Sequence, residues 1–345
     1  MTNPVRRAAT VVAWAGALAG ALAAGLALFA GCAPAGSDPK TELLRVDVPL
    51  REPVWVPGKE ALLALSEGRR SVVRIDVGEA TEGSRPPVRS EAFEDLGENL
   101  AVSPEEPGLA YLPRPGAGEI SALDTDTLRA VEGYEVGDSP SYVSMDVQSE
   151  VLFALSEDGL KVSSVELETP EEIPDVEVGG GPETLVEAPE KGLDPAFWTA
   201  GPGGVAFYGG DPLERMVGER IDATDIAVDL SSMQRAYVAE GERIVALEGD
   251  PEDFLKGELV SVKTRELDEK VEHVASDELH VFAATKRELV AMRRESLEVV
   301  ETVGFGRLLE REGIKPGGIS GITVGKEDVY LTFEGAPYVL SVKKP

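Results

Sequence analysis

The 345-residue chain holds one cysteine and two histidines, and its amides are as scarce: Asn3 and Asn99, Gln148 and Gln234. A single cysteine excludes an internal disulfide framework, so the fold has to be held by its apolar core. Few histidines and no second cysteine leave Ser-His-Asp or Cys-His catalysis little to work with. Positive charge is also short, with 33 Lys and Arg against 63 Asp and Glu and a formal net charge of −30. Such a surface repels polyanions, which excludes nucleic acid and direct binding to anionic lipid headgroups. Its plain meaning is a solvated, self-repelling exterior that favours a monomer. Poverty in amides beside abundant Glu and Arg is a trait of heat-adapted proteins, and genome composition produces it too.

What the chain does have begins at its start. Arg6 and Arg7 precede an uncharged run from Ala8 to Ala30, which ends Leu28-Phe29-Ala30-Gly31-Cys32. A short basic segment, an apolar stretch and small residues at its end are the parts of an export signal. The segment resembles the signal peptide and lipobox of bacterial lipoproteins, with Phe29 where that family usually has Leu. The resemblance implies cleavage before Cys32, acylation of Cys32, and a membrane-anchored body on the extracytoplasmic side, at the cell surface or in the periplasm. The apolar run is also long enough to span a bilayer as an uncleaved anchor; both routes place residues 33–345 on the same side. Residues 1–31 are then the leader, 32–41 a flexible tether of small, turn-prone residues, and 42–345 the folded body.

That body repeats. One apolar strand type recurs at Ala61-Leu62-Leu63-Ala64-Leu65, Leu109–Leu112, Val151–Leu155, Ala196–Thr199, Ala236–Ala239, Leu279–Ala283 and Val329–Phe333. The seven copies lie about 40 to 50 residues apart. After most of them come a turn and a second strand, at Ser71–Asp76, Glu119–Asp124, Arg243–Leu247, Glu288–Met292 and Pro337–Val342. Units of this length accommodate four strands each, which predicts an all-β fold, a single β-propeller of about seven blades. The poorly patterned stretch Gly78–Glu98 leaves six or eight blades open. Only Arg307–Ile314 reads as a short helical turn.

The unit from Ile120 to Gly159 contains Ile120-Ser121-Ala122-Leu123-Asp124-Thr125, then Val136-Gly137-Asp138-Ser139-Pro140, then Val151-Leu152-Phe153-Ala154-Leu155. It resembles the YVTN-type propeller repeat of bacterial surface proteins, and Val178-Gly179-Gly180-Gly181-Pro182 repeats its turn. The resemblance implies a propeller and no particular activity. After Gly318 there is room for only three strands, so the spare segment Leu43–Leu50 is expected to complete the last blade and close the ring.

Candidate chemistry is sparse. His273 and His280, with Glu278, would share one hairpin face if the chain turned tightly at Ser276-Asp277, and two His and a carboxylate suit zinc. A half-exposed hairpin with incidental histidines is the competing reading, and no metal or other cofactor is predicted. Asp124-Thr125-Asp126-Thr127 lacks the glycine and bidentate Glu of a calcium loop and reads as a turn. Trp198 reads as a packing residue between blades. Ligands of propellers usually meet the face where two loop sets converge on the channel. In this chain those loops carry Arg69, Arg70, Arg114, Asp138, Asp222, Asp225, Glu240, Glu242, Lys286 and Arg287.

These features predict a tethered recognition module for an envelope protein or polymer, without a catalytic site. The alternative is an exported propeller enzyme, a lactonase or other hydrolase, or a quinoprotein-like dehydrogenase.

Overall fold

The computed structural model describes residues 40–345 except 79–85, 104–107, 138, 147–149, 168–171, 179–183, 188–195, 211, 229–234, 249–258 and 316. Residues 1–39, Cys32 among them, therefore lie outside the described residues, as do Asp138 and the turn glycines 179–181.

Seven four-stranded antiparallel sheets follow one another along the chain. The first blade is β2 (Leu50–Val56), β3 (Ala61–Ser66), β4 (Val72–Asp76) and β5 (Val88–Arg89). The second is β6 (Ala101–Val102), β7 (Leu109–Arg114), β8 (Glu119–Asp124) and β9 (Ala130–Glu135). The third is β10 (Pro140–Met145), β11 (Val151–Ser156), β12 (Lys161–Glu166) and β13 (Glu172–Glu177). The fourth is β14 (Thr184–Glu187), β15 (Ala196–Gly201), β16 (Gly204–Gly209) and β17 (Glu214–Glu219). The fifth is β18 (Asp225–Val228), β19 (Arg235–Glu240), β20 (Arg243–Glu248) and β21 (Val260–Glu266). The sixth is β22 (His273–Ser276), β23 (His280–Ala284), β24 (Glu288–Arg293) and β25 (Val299–Gly304), followed by the short helix α1 (Gly306–Arg311). The seventh is β26 (Ile319–Val324), β27 (Asp328–Phe333), β28 (Ala336–Lys343) and, from the start of the described chain, β1 (Thr41–Arg45).

Each first strand neighbours the first strand of the next blade, and β26 neighbours β2, so the sheets form a closed seven-bladed β-propeller. Strand β1 completes the last blade by pairing antiparallel with β28, Thr41 opposite Val342 and Arg45 opposite Tyr338. It is shorter than the spare segment expected: Leu50 already belongs to β2, because Pro49 has no N–H to extend the ladder.

The repeating apolar segments are the second and third strands of the blades. They read as near-continuous apolar runs because both sheet faces are covered by neighbouring blades. In β3 the first five residues, Ala61 to Leu65, are all buried. The core is accordingly seven clusters, each lying between consecutive blades. Adjacent residues of β15 serve opposite seams. Phe197 stacks on Tyr208 and meets Phe153 of the third blade, while Trp198 packs with Phe207 toward the fifth. Trp198 is fully buried, the packing residue its sequence context suggested.

Candidate site at the channel mouth

Pairing of Leu50 with Ser66 puts the start of each first strand beside the turn between the second and third strands. This end of the channel, the mouth, carries the converging loops. Three of the surrounding strands bulge there: β2 between Arg51 and Val54, β10 between Pro140 and Tyr142, and β26 between Ile319 and Gly321. Bulges re-aim side chains that a regular pleat would hold in register.

In β2 the bulge carries Glu52, whose backbone is left-handed at φ 47°. A Cβ at Gly321 would meet the Pro53 ring at 2.5 Å and the Glu52 backbone at 2.8 to 3.0 Å, so only glycine lets the two bulges lie side by side. Glu52 is half-buried. Burial is the main cause that lifts its carboxyl from 4.5 to about 7. The positive charges of His273 and Arg51 pull it down, and Asp225 and Glu98 push it up. Those neighbours include groups from the second, fifth and sixth blades, so charges of several blades converge on this carboxyl. It accepts no hydrogen bond from the described residues. Tyr142, from the third blade, has its phenol held well above the usual range, first by burial and then by the charges of Glu52 and Asp225.

The charged groups that act on Glu52 are themselves paired. Glu98 takes the Arg51 guanidinium at 2.7 Å on one oxygen and that of Arg69 on the other. Asp225 Oδ2 accepts from Val274 N at 2.9 Å and faces His273 Nδ1 at 3.2 Å. His273 Nε2 lies 3.1 Å from the carbonyl of Ile319. Both partners of the ring are acceptors, so it must donate from both nitrogens, which only the imidazolium does. Burial works against that charge, but the hydrogen bond and charge of Asp225, reinforced by Glu52, win and push the pKa up to about 9.

Neighbouring first strands are also joined by neutral and backbone contacts. The Asn99 side chain donates to Val143 O and accepts from Val143 N, both at 2.8 Å, like one more strand residue. Glu272 accepts from Ile319 N at 2.7 Å, Ser276 donates to Val228 O, and Ser320 donates to Leu50 O.

Apart from Asp138, which lies outside the described residues, the loop residues singled out in the sequence lie at this end but differ in state. Arg69 is spent on Glu98. Arg114 faces Asp95 and Glu119 and lies over the ring of Phe93. Glu240 pairs with Arg243 at 2.7 Å, and Lys286 reaches Glu272 at 3.9 Å. Arg70, Asp222, Glu242 and Arg287 are exposed, and Asp225 is the His273 partner. The shared histidine face does not form. His273 pairs with Ala284 and His280 with Arg293, because the turn spans Asp277 to Leu279 and places the histidines at opposite ends of the hairpin. His280 lies 3.7 Å from Asp277, and Glu278 is exposed in the turn. Among the described residues no three metal-ligating side chains converge.

Arg51, Glu52, Glu98, Asn99 and Tyr142 were not singled out. Scarcity was a usable signal for Asn99, one of two asparagines, and the charged Arg51-Glu52 pair inside an otherwise apolar strand was another. No family model matches the chain, and no curated protein matches it.

Proposed function

We propose that the chain is a lipid-anchored, extracytoplasmic β-propeller that binds a protein or cell-envelope ligand at the channel mouth. One observation carries this reading: Glu52 presents an unpartnered carboxyl at the mouth, on a strained backbone, while the charges around it are paired. Strain of 1–3 kcal/mol at a left-handed glutamate persists where function or packing demands it. Lipobox-like Leu28–Cys32 supports the anchor, and the Ile120–Gly159 unit supports kinship with YVTN-type surface repeats. Lys40, where the described chain begins, lies at the end of β1 away from the mouth. Capture of crosslinked partners by the full chain, beside Glu52→Gln and Arg70→Glu variants, tests the reading. A partner retained equally by both variants places binding elsewhere. Mass spectrometry of wild type against Cys32→Ala tests the acyl group.

A second reading, an exported hydrolase, is favoured by Glu52 itself. A carboxyl poised near pH 7 beside a phenol is the form a general acid–base group takes. Turnover of an ester, lactone or glycoside that vanishes in Glu52→Gln would establish it.

A further inference from the structure

The opposite end of the propeller carries a separate cavity of 640 Å³ at the seam where the first and last blades meet. Its lining comes from two turns: Trp55, Pro57, Gly58, Lys59 and Glu60 from β2 into β3, and Val324 to Lys326 after β26. That volume lies within the range of small-molecule sites. Tyr330 stacks on Trp55 with centroids 5.9 Å apart and planes 6° apart, yet Tyr330 does not line the cavity. The indole is therefore the aromatic surface the cavity meets, held rigid from behind. Trp55 N also donates to Thr323 Oγ1 at 3.0 Å, tying β2 to β26 just before the two turns. A Cβ at Gly325 would come within 2.7 Å of Tyr330 and 3.1 Å of Trp55. The turn can lie against the aromatic pair only as glycine.

Polar groups at the rim divide into spent and free. Lys59 is fixed by Asp126 and Thr125, each at 2.8 Å. Lys326 is exposed and makes no ion pair with any described residue. Glu60 sits on left-handed backbone at φ 46° and its carboxylate takes no hydrogen bond from the described residues. A rigid indole that lines one cavity with a free ammonium and a free carboxylate is complementary to a ring with an apolar C–H face and hydroxyls at its edge. The polarised C–H groups meet the negative π-face, and the charged pair donates to and accepts from hydroxyls.

We propose that this cavity is a saccharide-binding site, formed by Trp55, Glu60 and Lys326 at the seam of ring closure. It stands apart from the mouth and does not depend on what binds there.

The test is tryptophan fluorescence of the full chain, purified in detergent and titrated with cellotetraose, chitotetraose and tetragalacturonate. Trp198 is fully buried, so Trp55 is the reporter in the folded body, and Trp55→Phe identifies any signal from Trp14. Quenching by one of these sugars is expected. Affinity should fall at least fivefold in Lys326→Gln and in Glu60→Gln, both surface changes that leave the melting temperature near wild type, and stay unchanged in Glu52→Gln. Absence of quenching by all three sugars overturns the proposal. So does affinity equal to wild type in both rim variants, or affinity lost in Glu52→Gln instead.

Discussion

Asp225 and His273, from adjacent blades, meet at 3.2 Å, and the other nitrogen of the same ring reaches Ile319 of a third blade at 3.1 Å. One imidazolium thereby fastens the first strands of three consecutive blades, at a seam where two β-edges would otherwise face each other without a ladder.

The charge on that ring makes stability depend on pH. His273 has a folded pKa of about 9, above its ordinary 6.5, so the folded state holds its proton more tightly than the unfolded chain. The stabilisation is fully present below pH 6.5 and is lost as pH rises through 9. A shift of this size corresponds to about 3 kcal/mol. Chemical denaturation from pH 6 to 10 should show that decline, and His273→Gln should flatten it. A wild-type profile that is level over this window would remove the imidazolium assignment.

Glu52 acts with the same sign over a lower window. Its folded pKa of about 7 exceeds the ordinary 4.5, so the unfolded chain loses this proton first and stability falls as pH climbs from 4.5 to 7. Glu52→Gln should be neutral at pH 4 and stabilising by roughly 1–3 kcal/mol at pH 8. Because Glu52 supports the His273 charge, the variant should also move the His273 step to lower pH. Urea midpoints at pH 4 and 8, with histidine NMR titration, decide both points.

Asn99 links the second and third blades through two hydrogen bonds to Val143. Asn99→Ala leaves a buried N–H and C=O unsatisfied and should cost about 2–4 kcal/mol. Asn99→Asp keeps the acceptor for Val143 N but confronts the carbonyl with a second acceptor, so it should recover little. Equal stability of Asn99→Ala and wild type in urea would show that water replaces both bonds.

Ring closure should be the cooperative step of folding. Deleting residues 41–45 strips β28 of its outer partner and removes Leu43, which packs on the sixth–seventh blade core. The truncated chain should melt well below wild type, and hydrogen exchange should quicken first in β28. Retention of full protection in β28 would show that the last blade stands as three strands.

The second and third strands of the blades were legible because burial on both faces writes them as dense apolar runs, from Ala61–Leu65 to Val329–Phe333. Closure was legible for a related reason: the last unit is one strand short and a spare apolar segment precedes the first. The helical turn after Gly304 was equally local and fell at α1.

The mouth was not legible. Strand β6 is two residues long, and β2, β10 and β26 bulge near their starts, so no period marks which side chains turn inward. His273 and His280 looked like neighbours until a three-residue turn put them at opposite ends of a hairpin. The sequence by itself determined the repeating strand order and the closed ring, since these depend on apolar burial along each segment. Only the tertiary structure decided that Glu52, Tyr142, Asp225 and His273 share one channel. Their proximity comes from blades meeting around a common axis, a relation between segments tens to hundreds of residues apart that no local pattern encodes.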